Sequence, residues 1–279
     1  MKKRIRLVGV DMDGTLLTSE KKVSAYSKQM IQTAVDQGVI ILPATGRPFN
    51  GIPAEVKAVP GMRYALTTNG ARVMDTQTGE ILIEHLLDRQ LALDCLKVLA
   101  KYDTLLEVYY DGVGYAVTEQ LKHIEHYHHD AAMWGYVLST RESIDDIFGF
   151  VNQESRGVEK VQGIFANLEE KALAQAELAA LSTVVATSSL GYNLEINGAG
   201  VNKGTSLIEL GALLGISRDE IMGIGDADND ADMLREAGLG VAMANAHQSI
   251  KDIADYVTAS NDEDGVALAI KKFCIDANV

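Results

Sequence analysis

Short apolar runs alternate with stretches of helical spacing over the first third of the chain. Residues 5–10 read as a buried strand, and Ser24 is placed to cap a helix whose Ile31, Ala34 and Val35 share one face before Gly38 stops it. A second strand over 39–42 ends in PATGR, and a third over 64–66 ends in TTNG. The last third resumes the rhythm. Asn202 precedes a helix through Leu207, Leu210, Leu213 and Leu214, closed by Gly215, and a strand over 221–224 runs into GDADND. Residues 238–241 and 256–258 read as further short strands, and an amphipathic helix covers about 265–273. Such alternation predicts right-handed βαβ units: an α/β fold with a doubly wound, Rossmann-like parallel sheet.

The middle has a different pattern. After the apolar run 81–83 comes a helix near 91–99, then LLEVYYDGVGYAVT, two aromatic-rich strands around Asp111-Gly112. Residues 158–166 are strand-like, 169–181 helical and 183–187 strand-like again. The expectation is a catalytic core of residues 1–84 and 191–279 with an inserted α+β cap domain of residues 85–190. No internal repeat or low-complexity linker interrupts it.

Composition narrows the class. A chain of 279 residues, 47% hydrophobic and 23% charged, is a globular protein of one large or two ordinary domains. No apolar run approaches the roughly 18 residues of a membrane span. The start, MKKRIRLVGVD, sets basic residues before an apolar patch, but that patch is short, contains Arg6 and ends in acid, so it is not read as a signal peptide. The net charge of −14 repels phosphate backbones, so neither nucleic acid nor anionic membrane is an expected partner. Cys95 and Cys274 carry no metal-ligand spacing and are expected as buried free thiols in a reducing cytoplasm. Nothing in the pattern speaks to oligomeric state.

Candidate chemistry gathers at the strand ends, where open parallel sheets bind ligands. VGVDMDGTLL runs a strand into Asp11 and Asp13, which face one side if the strand persists through both. Other strand ends carry Thr45-Gly46-Arg47, Thr68-Asn69-Gly70, and Asp226 with Asn229 and Asp230. Gathered carboxylates about 4 Å apart repel by about 4 kcal/mol at an effective dielectric near 20. A hard divalent ion, Mg²⁺, suits a set of carboxylate and carbonyl oxygens without Cys or His. Thr45 and the turns around Gly14 and Gly46 offer a hydroxyl and backbone N–H groups to phosphate, and Lys203 begins its helix with a fixed positive charge. Singly, each feature has a plain explanation. A lone pair of acids is commonly a turn, and GDADND could be an acidic first helical turn or a calcium loop, although it lacks the glycine and final glutamate of an EF-hand. Their joint occurrence, in order, favours a site.

These residues resemble the haloacid dehalogenase-like superfamily of Mg²⁺-dependent phosphatases. DMDGTLL at 11–17, ATGR at 44–47, NKG at 202–204 and GDADNDADML at 225–234 match its four motifs. VAMANA at 241–246 and EDGVA at 263–267 are similar to its Cof-like branch, which carries a large α/β cap. The resemblance implies Asp11 as nucleophile forming an aspartyl-phosphate, and Asp13 as general acid and then general base. It implies Mg²⁺ on the Asp11 carboxylate, the Asp13 carbonyl and Asp226. Thr45 and Lys203 would hold phosphoryl oxygens, with Gly46 and Arg47 in the same motif, Asn229 beside them and Asp230 in support.

The implied activity is hydrolysis of small phosphorylated metabolites, such as sugar phosphates. A phosphomutase on the same scaffold is the alternative, and a phosphorylatable signalling or binding protein a third. The insert also holds HIEHYHHD, whose His123, His126, His128 and His129 could bind a transition metal but are more commonly a solvated helix face. Trp134, Tyr109, Tyr110 and Tyr115 are expected in the core of the insert.

Overall fold

The structure is a computed structural model that describes residues 4–276; Met1-Lys2-Lys3, the first basic residues of the rejected signal pattern, lie outside them. The chain divides into two compact units. One takes Met1–Thr45, Ile52–Glu84 and Asn202–Val279, the other Gly46–Gly51 and His85–Val201.

In chain order, the first unit contributes β1 (Leu7–Val10), α1 (Ala25–Asp36), β2 (Ile40–Pro43), α2 (Ala54–Lys57), β3 (Tyr64–Thr67), β4 (Arg72–Asp75) and β5 (Ile81–Glu84). The second unit adds α3 (Arg89–Leu99), β6 (Thr104–Tyr110), β7 (Val113–Val117), α4 (Thr118–Leu121), α5 (Ile124–Tyr127), α6 (Ala131–Thr140) and β8 (Arg141–Ile144). It continues with α7 (Ile147–Gln153), β9 (Lys160–Phe165), α8 (Leu168–Ala179), β10 (Val184–Thr187) and β11 (Asn193–Gly198). The first unit then resumes with α9 (Lys203–Leu213), β12 (Ile221–Gly225), α10 (Ala231–Glu236), β13 (Leu239–Ala242), α11 (Gln248–Lys251), β14 (Tyr256–Val257) and α12 (Gly265–Ile270).

Among the described residues of the first unit, five strands form a parallel sheet in the order β14-β13-β12-β1-β2. The chain winds outward from β1 through β2, and oppositely from β12 through β13 and β14. The order therefore reverses between β1 and β12, which opens a crevice beyond their carboxyl ends. On one face Leu7, Leu42 and Ile221 pack with Leu207 and Leu210 of α9 and Met233 and Leu234 of α10. Alternation sends Val8 and Val10 to the opposite face, and there α1 packs on β2 and on α12. One rung sets three glycines side by side: Gly9 pairs with Gly223, and Gly223 with Gly240. A Cβ on Gly9 would lie 2.7 Å from Leu207 Cδ2, and one on Gly240 2.2 Å from the Leu234 carbonyl oxygen, so the two helices rest directly on the sheet.

The third expected strand behaves differently. β3 meets β2 through a single bridge, Ala44 to Leu66, and runs into an antiparallel β3-β4-β5 sheet. The cause lies in TTNG: Thr68, Asn69 and Gly70 all have positive φ, at 48°, 60° and 97°, and turn the chain back on itself.

The second unit is built on a six-stranded sheet, β10-β11-β9-β6-β7-β8, antiparallel except at β7-β8. Leu106, Val108 and Tyr110 of β6, Val161 and Phe165 of β9, and Leu194 and Ile196 of β11 pack against α3, α7 and α8. Tyr115 packs on the edge of that core, as expected. The other face has a smaller apolar cluster of Leu105 and Ile164 with Val137 and Tyr127, and Trp134 beside it. The same face also carries buried polar side chains, among them Glu107, Tyr109, Gln162 and Glu195.

The sequence reading returns the chain to the core at residue 191. In the structure β11 pairs with β9 and β10, so the second unit runs to Val201, because Leu194 and Ile196 complete its apolar layer. No helix among the described residues is long and apolar enough to cross a membrane.

Candidate active site

Asp11 directly follows β1, and its N–H donates to the Ile224 carbonyl at 2.9 Å, so the ladder extends one residue beyond the strand. Asp11 thus keeps the alternation of Leu7 and Gly9 and faces α9. That helix starts with Lys203, and the preceding Asn202 caps it by accepting from the Thr205 N–H at 2.8 Å. The fully buried Lys203 ammonium donates to Asp11 Oδ1 and Asp230 Oδ1, both at 2.7 Å. The second oxygen of Asp230 accepts from the N–H groups of Asp226 and Ala227, each at 3.0 Å. Asp226, which follows β12, accepts from the Thr15 hydroxyl at 2.6 Å.

Asp11, Asp226 and Asp230 each bring a carboxylate oxygen within 4.8 Å of the others. Burial pushes the Asp11 carboxyl well above its ordinary range, and the charge of Asp230 adds to this against the opposing pull of Lys203. Burial, then Asp230, raises Asp226 to about 7. Burial works against the Lys203 charge, but Asp11 and Asp230 more than offset it and hold its ammonium above the usual lysine range. The sequence thus supplies one cation for three acids. A set of carboxylate oxygens with excess negative charge and no nearby Cys or His fits a hard divalent cation. Asp230 has both oxygens committed to hydrogen bonds, which leaves Asp11 and Asp226 as the better ligands.

Asp13 differs from the expectation of a strand continuing through it. The chain turns after Asp11, with the Leu16 N–H donating to the Asp11 carbonyl at 3.2 Å and the Leu17 N–H to that of Met12 at 2.8 Å. The Asp13 carboxylate accepts from Lys21 Nζ at 3.1 Å, and its charge contributes to the raised Asp226. It lies outside the group of three acids.

Thr45 is buried at the end of β2, where its carbonyl accepts from the Asn69 N–H at 3.0 Å. The Asn69 side chain in turn accepts from Asn229 Nδ2 at 3.1 Å, which links Thr45 and Asn229 into one network. Gly46 and Arg47 belong to the second unit. The Gly46 carbonyl accepts from Lys160 Nζ at 2.7 Å, and Arg47 donates to the Gly51 carbonyl and lies 4.1 Å from the centroid of the Tyr136 ring. Sequence reasoning assigns no role to Thr15, which bonds Asp226, and none to Asn69 beyond its place at a polar strand end. Thr15 stands inside the DMDGTLL motif, and Asn69 in the TTNG turn that had already marked a polar strand end.

Two of the four histidines pair with acids and two meet Tyr192. His126 pairs with Asp103 at 2.6 Å, His123 lies 3.7 Å from Glu119, the buried His128 meets the Tyr192 hydroxyl at 3.2 Å, and His129 stacks on the Tyr192 ring. Cys95 and Cys274 are both buried, and burial pushes both thiols up to about 12.

The family model for haloacid dehalogenase-like hydrolases matches residues 8–270. The chain belongs to that family. The hydrolase is 28% identical to a 5-amino-6-(5-phospho-D-ribitylamino)uracil phosphatase of Bacillus subtilis, YcsE, over 97% of this chain and 96% of that one. It is 30% identical to the phosphatase YwpJ of the same organism, over 96% and 99%. Among solved structures, a haloacid dehalogenase-like hydrolase from B. subtilis superposes with a TM-score of 0.85 at 27% identity, covering 96% of this chain and 99% of that chain. The hydrolase is accordingly an enzyme of the phosphatase class.

Proposed function

We propose that the protein hydrolyses small phosphomonoesters with the aid of Mg²⁺, through an aspartyl-phosphate (an acyl phosphate) formed on Asp11. The observation that carries this reading is the buried Lys203 bridging Asp11 and Asp230 beside Asp226 at the reversal of strand order. Mg²⁺ would be held by the Asp11 and Asp226 carboxylates and the Asp13 carbonyl, and would supply positive charge against the phosphoryl oxygens.

The remaining work falls to this chain's own residues. One Asp11 oxygen attacks phosphorus while the bond to the leaving alcohol breaks, and Asp13 gives its proton to that alcohol. Asp13 then takes a proton from water as it attacks phosphorus, and phosphate departs with the Asp11 carboxylate restored. Lys203 fixes the nucleophile and opposes charge on the equatorial oxygens, and its raised proton affinity keeps it cationic throughout. The Thr45 hydroxyl would donate to a phosphoryl oxygen, with Asn229 alongside. Dividing the displacement in two lowers the barrier of each step.

A relative named as a phosphatase of a phosphorylated ribitylamino compound supports a sugar or alditol phosphate as the substrate class here. Hydrolysis in oxygen-18 water should place the label in inorganic phosphate. Asp11→Asn should abolish release, and EDTA should do so reversibly. Release by metal-free Asp11→Asn protein, or isomerised sugar phosphate outpacing free phosphate, would overturn the reading.

A further inference from the structure

The loop that carries Asp13 has a weak point at Gly14. Its φ is +80°, and a Cβ there would lie 2.4 Å from Asp226 Oδ2, so close approach of the acid requires glycine. Glycine is also the residue least able to hold its own peptide orientation. The Gly14–Thr15 peptide matters for the site, because Thr15 gives its hydroxyl to Asp226 on one side and Asp13 precedes it on the other.

Residues more than two hundred positions away grip this loop. Asn245, in VAMANA, donates from Nδ2 to the Gly14 carbonyl at 2.8 Å. Its own Oδ1 accepts from the Asn261 N–H at 3.1 Å, so the amide has one orientation that satisfies both contacts. The Asn261 side chain donates to the Leu17 carbonyl at 2.9 Å, at the far end of the same turn, where Leu17 bridges to Asp13. Beyond it, Asp262 accepts from the Ser19 N–H at 2.8 Å and its hydroxyl at 2.6 Å, and Asp264 accepts from the Ser24 hydroxyl that caps α1. Two asparagines thus hold two carbonyls of the turn that follows Asp13, and two aspartates hold the chain that leaves it.

We propose that Asn245, oriented by Asn261, is a positioning residue for proton transfer: it locks the peptide that glycine leaves loose and thereby aims Asp13. The inference rests on the proposed acid–base role of Asp13. If the lock fails, Asp13 should deliver its proton poorly while Asp11 and Lys203 remain in place. The loss should then depend on how much the leaving group needs a proton.

The test compares an alkyl phosphate, whose alkoxide needs protonation, with an aryl phosphate, whose phenoxide needs little. Wild-type turnover of both is measured first, so failure of the functional reading shows there as no phosphate release. Asn245→Ala should lower kcat for the alkyl ester by about five- to tenfold, with KM nearly unchanged and a much smaller loss for the aryl ester. Asn261→Ala should do the same to a lesser degree. Ser19→Ala serves as control: it removes a contact of the same grip beyond the turn, and should shift thermal unfolding without altering the alkyl-to-aryl ratio. An unchanged ratio in a folded Asn245→Ala protein, or an equal change in Ser19→Ala, would overturn the proposal.

Discussion

Replacing Lys203 by Met exposes how strongly the site is held together by one charge. The ammonium contacts two buried carboxylates at 2.7 Å. At that separation and an effective dielectric near 20, each contact amounts to about 6 kcal/mol of Coulomb energy, most of it offset by the cost of burying three charges. Removing one partner of a buried pair leaves that cost uncompensated and destabilises a protein by about 3–5 kcal/mol. The variant should unfold earlier in denaturant by that amount when assayed metal-free near neutral pH. Its pH dependence carries the stronger test. Asp11 already sits above its ordinary range, and losing Lys203 raises it further. A carboxyl raised in the folded state binds more protons there than in the unfolded chain, so stability falls as pH rises above the unfolded value of about 4. The deficit relative to wild type should therefore be large at about pH 8 and should shrink toward about pH 5. Circular dichroism through a denaturant series at both values measures it. A deficit below about 1 kcal/mol, or one equal at both pH values, would refute the reasoning.

Two further outcomes are expected. Asp13→Asn should accumulate phosphate on Asp11 when supplied with an aryl phosphate, since the nucleophile survives and the base that activates water does not; mass spectrometry showing unmodified protein with normal turnover would contradict this. Cys95 and Cys274, buried with thiols pushed up to about 12, should resist an aromatic disulfide reagent at about pH 8 until denaturant is added, and rapid colour from the native protein would count against their burial.

The proposed chemistry was readable wherever an apolar run ended abruptly in acid. Asp11 after β1 and Asp226 after β12 are marked by that change alone, and Lys203 by its place behind an asparagine cap. What escaped depended on contacts across distant sequence. The hold of Asn245 on Gly14 joins two loops without any periodic signal. The reversal at Thr68-Asn69-Gly70 hid behind an ordinary strand pattern, since left-handed backbone at Thr68 is not suggested by its residue type. In the second unit, α6 has an almost unbroken apolar sequence, AAMWGYVLST, so spacing could not separate it from a strand. β11 falls beyond the expected boundary at residue 191: Asn, Glu and Asn alternate with its apolar residues, and only pairing reveals which sheet they join.

The glycine rung of Gly9, Gly223 and Gly240 limits how this enzyme can be improved. Substituting alanine for glycine is a standard route to thermostability, because it narrows the unfolded ensemble. Here the added methyl groups would strike Leu207 and the backbone of Leu234, and lift the helix that begins with Lys203 away from the strand that ends at Asp11. Stabilising mutations should therefore be sought elsewhere in the chain. Along this rung, stability and catalytic alignment draw on the same missing side chains, and a methyl added there costs both.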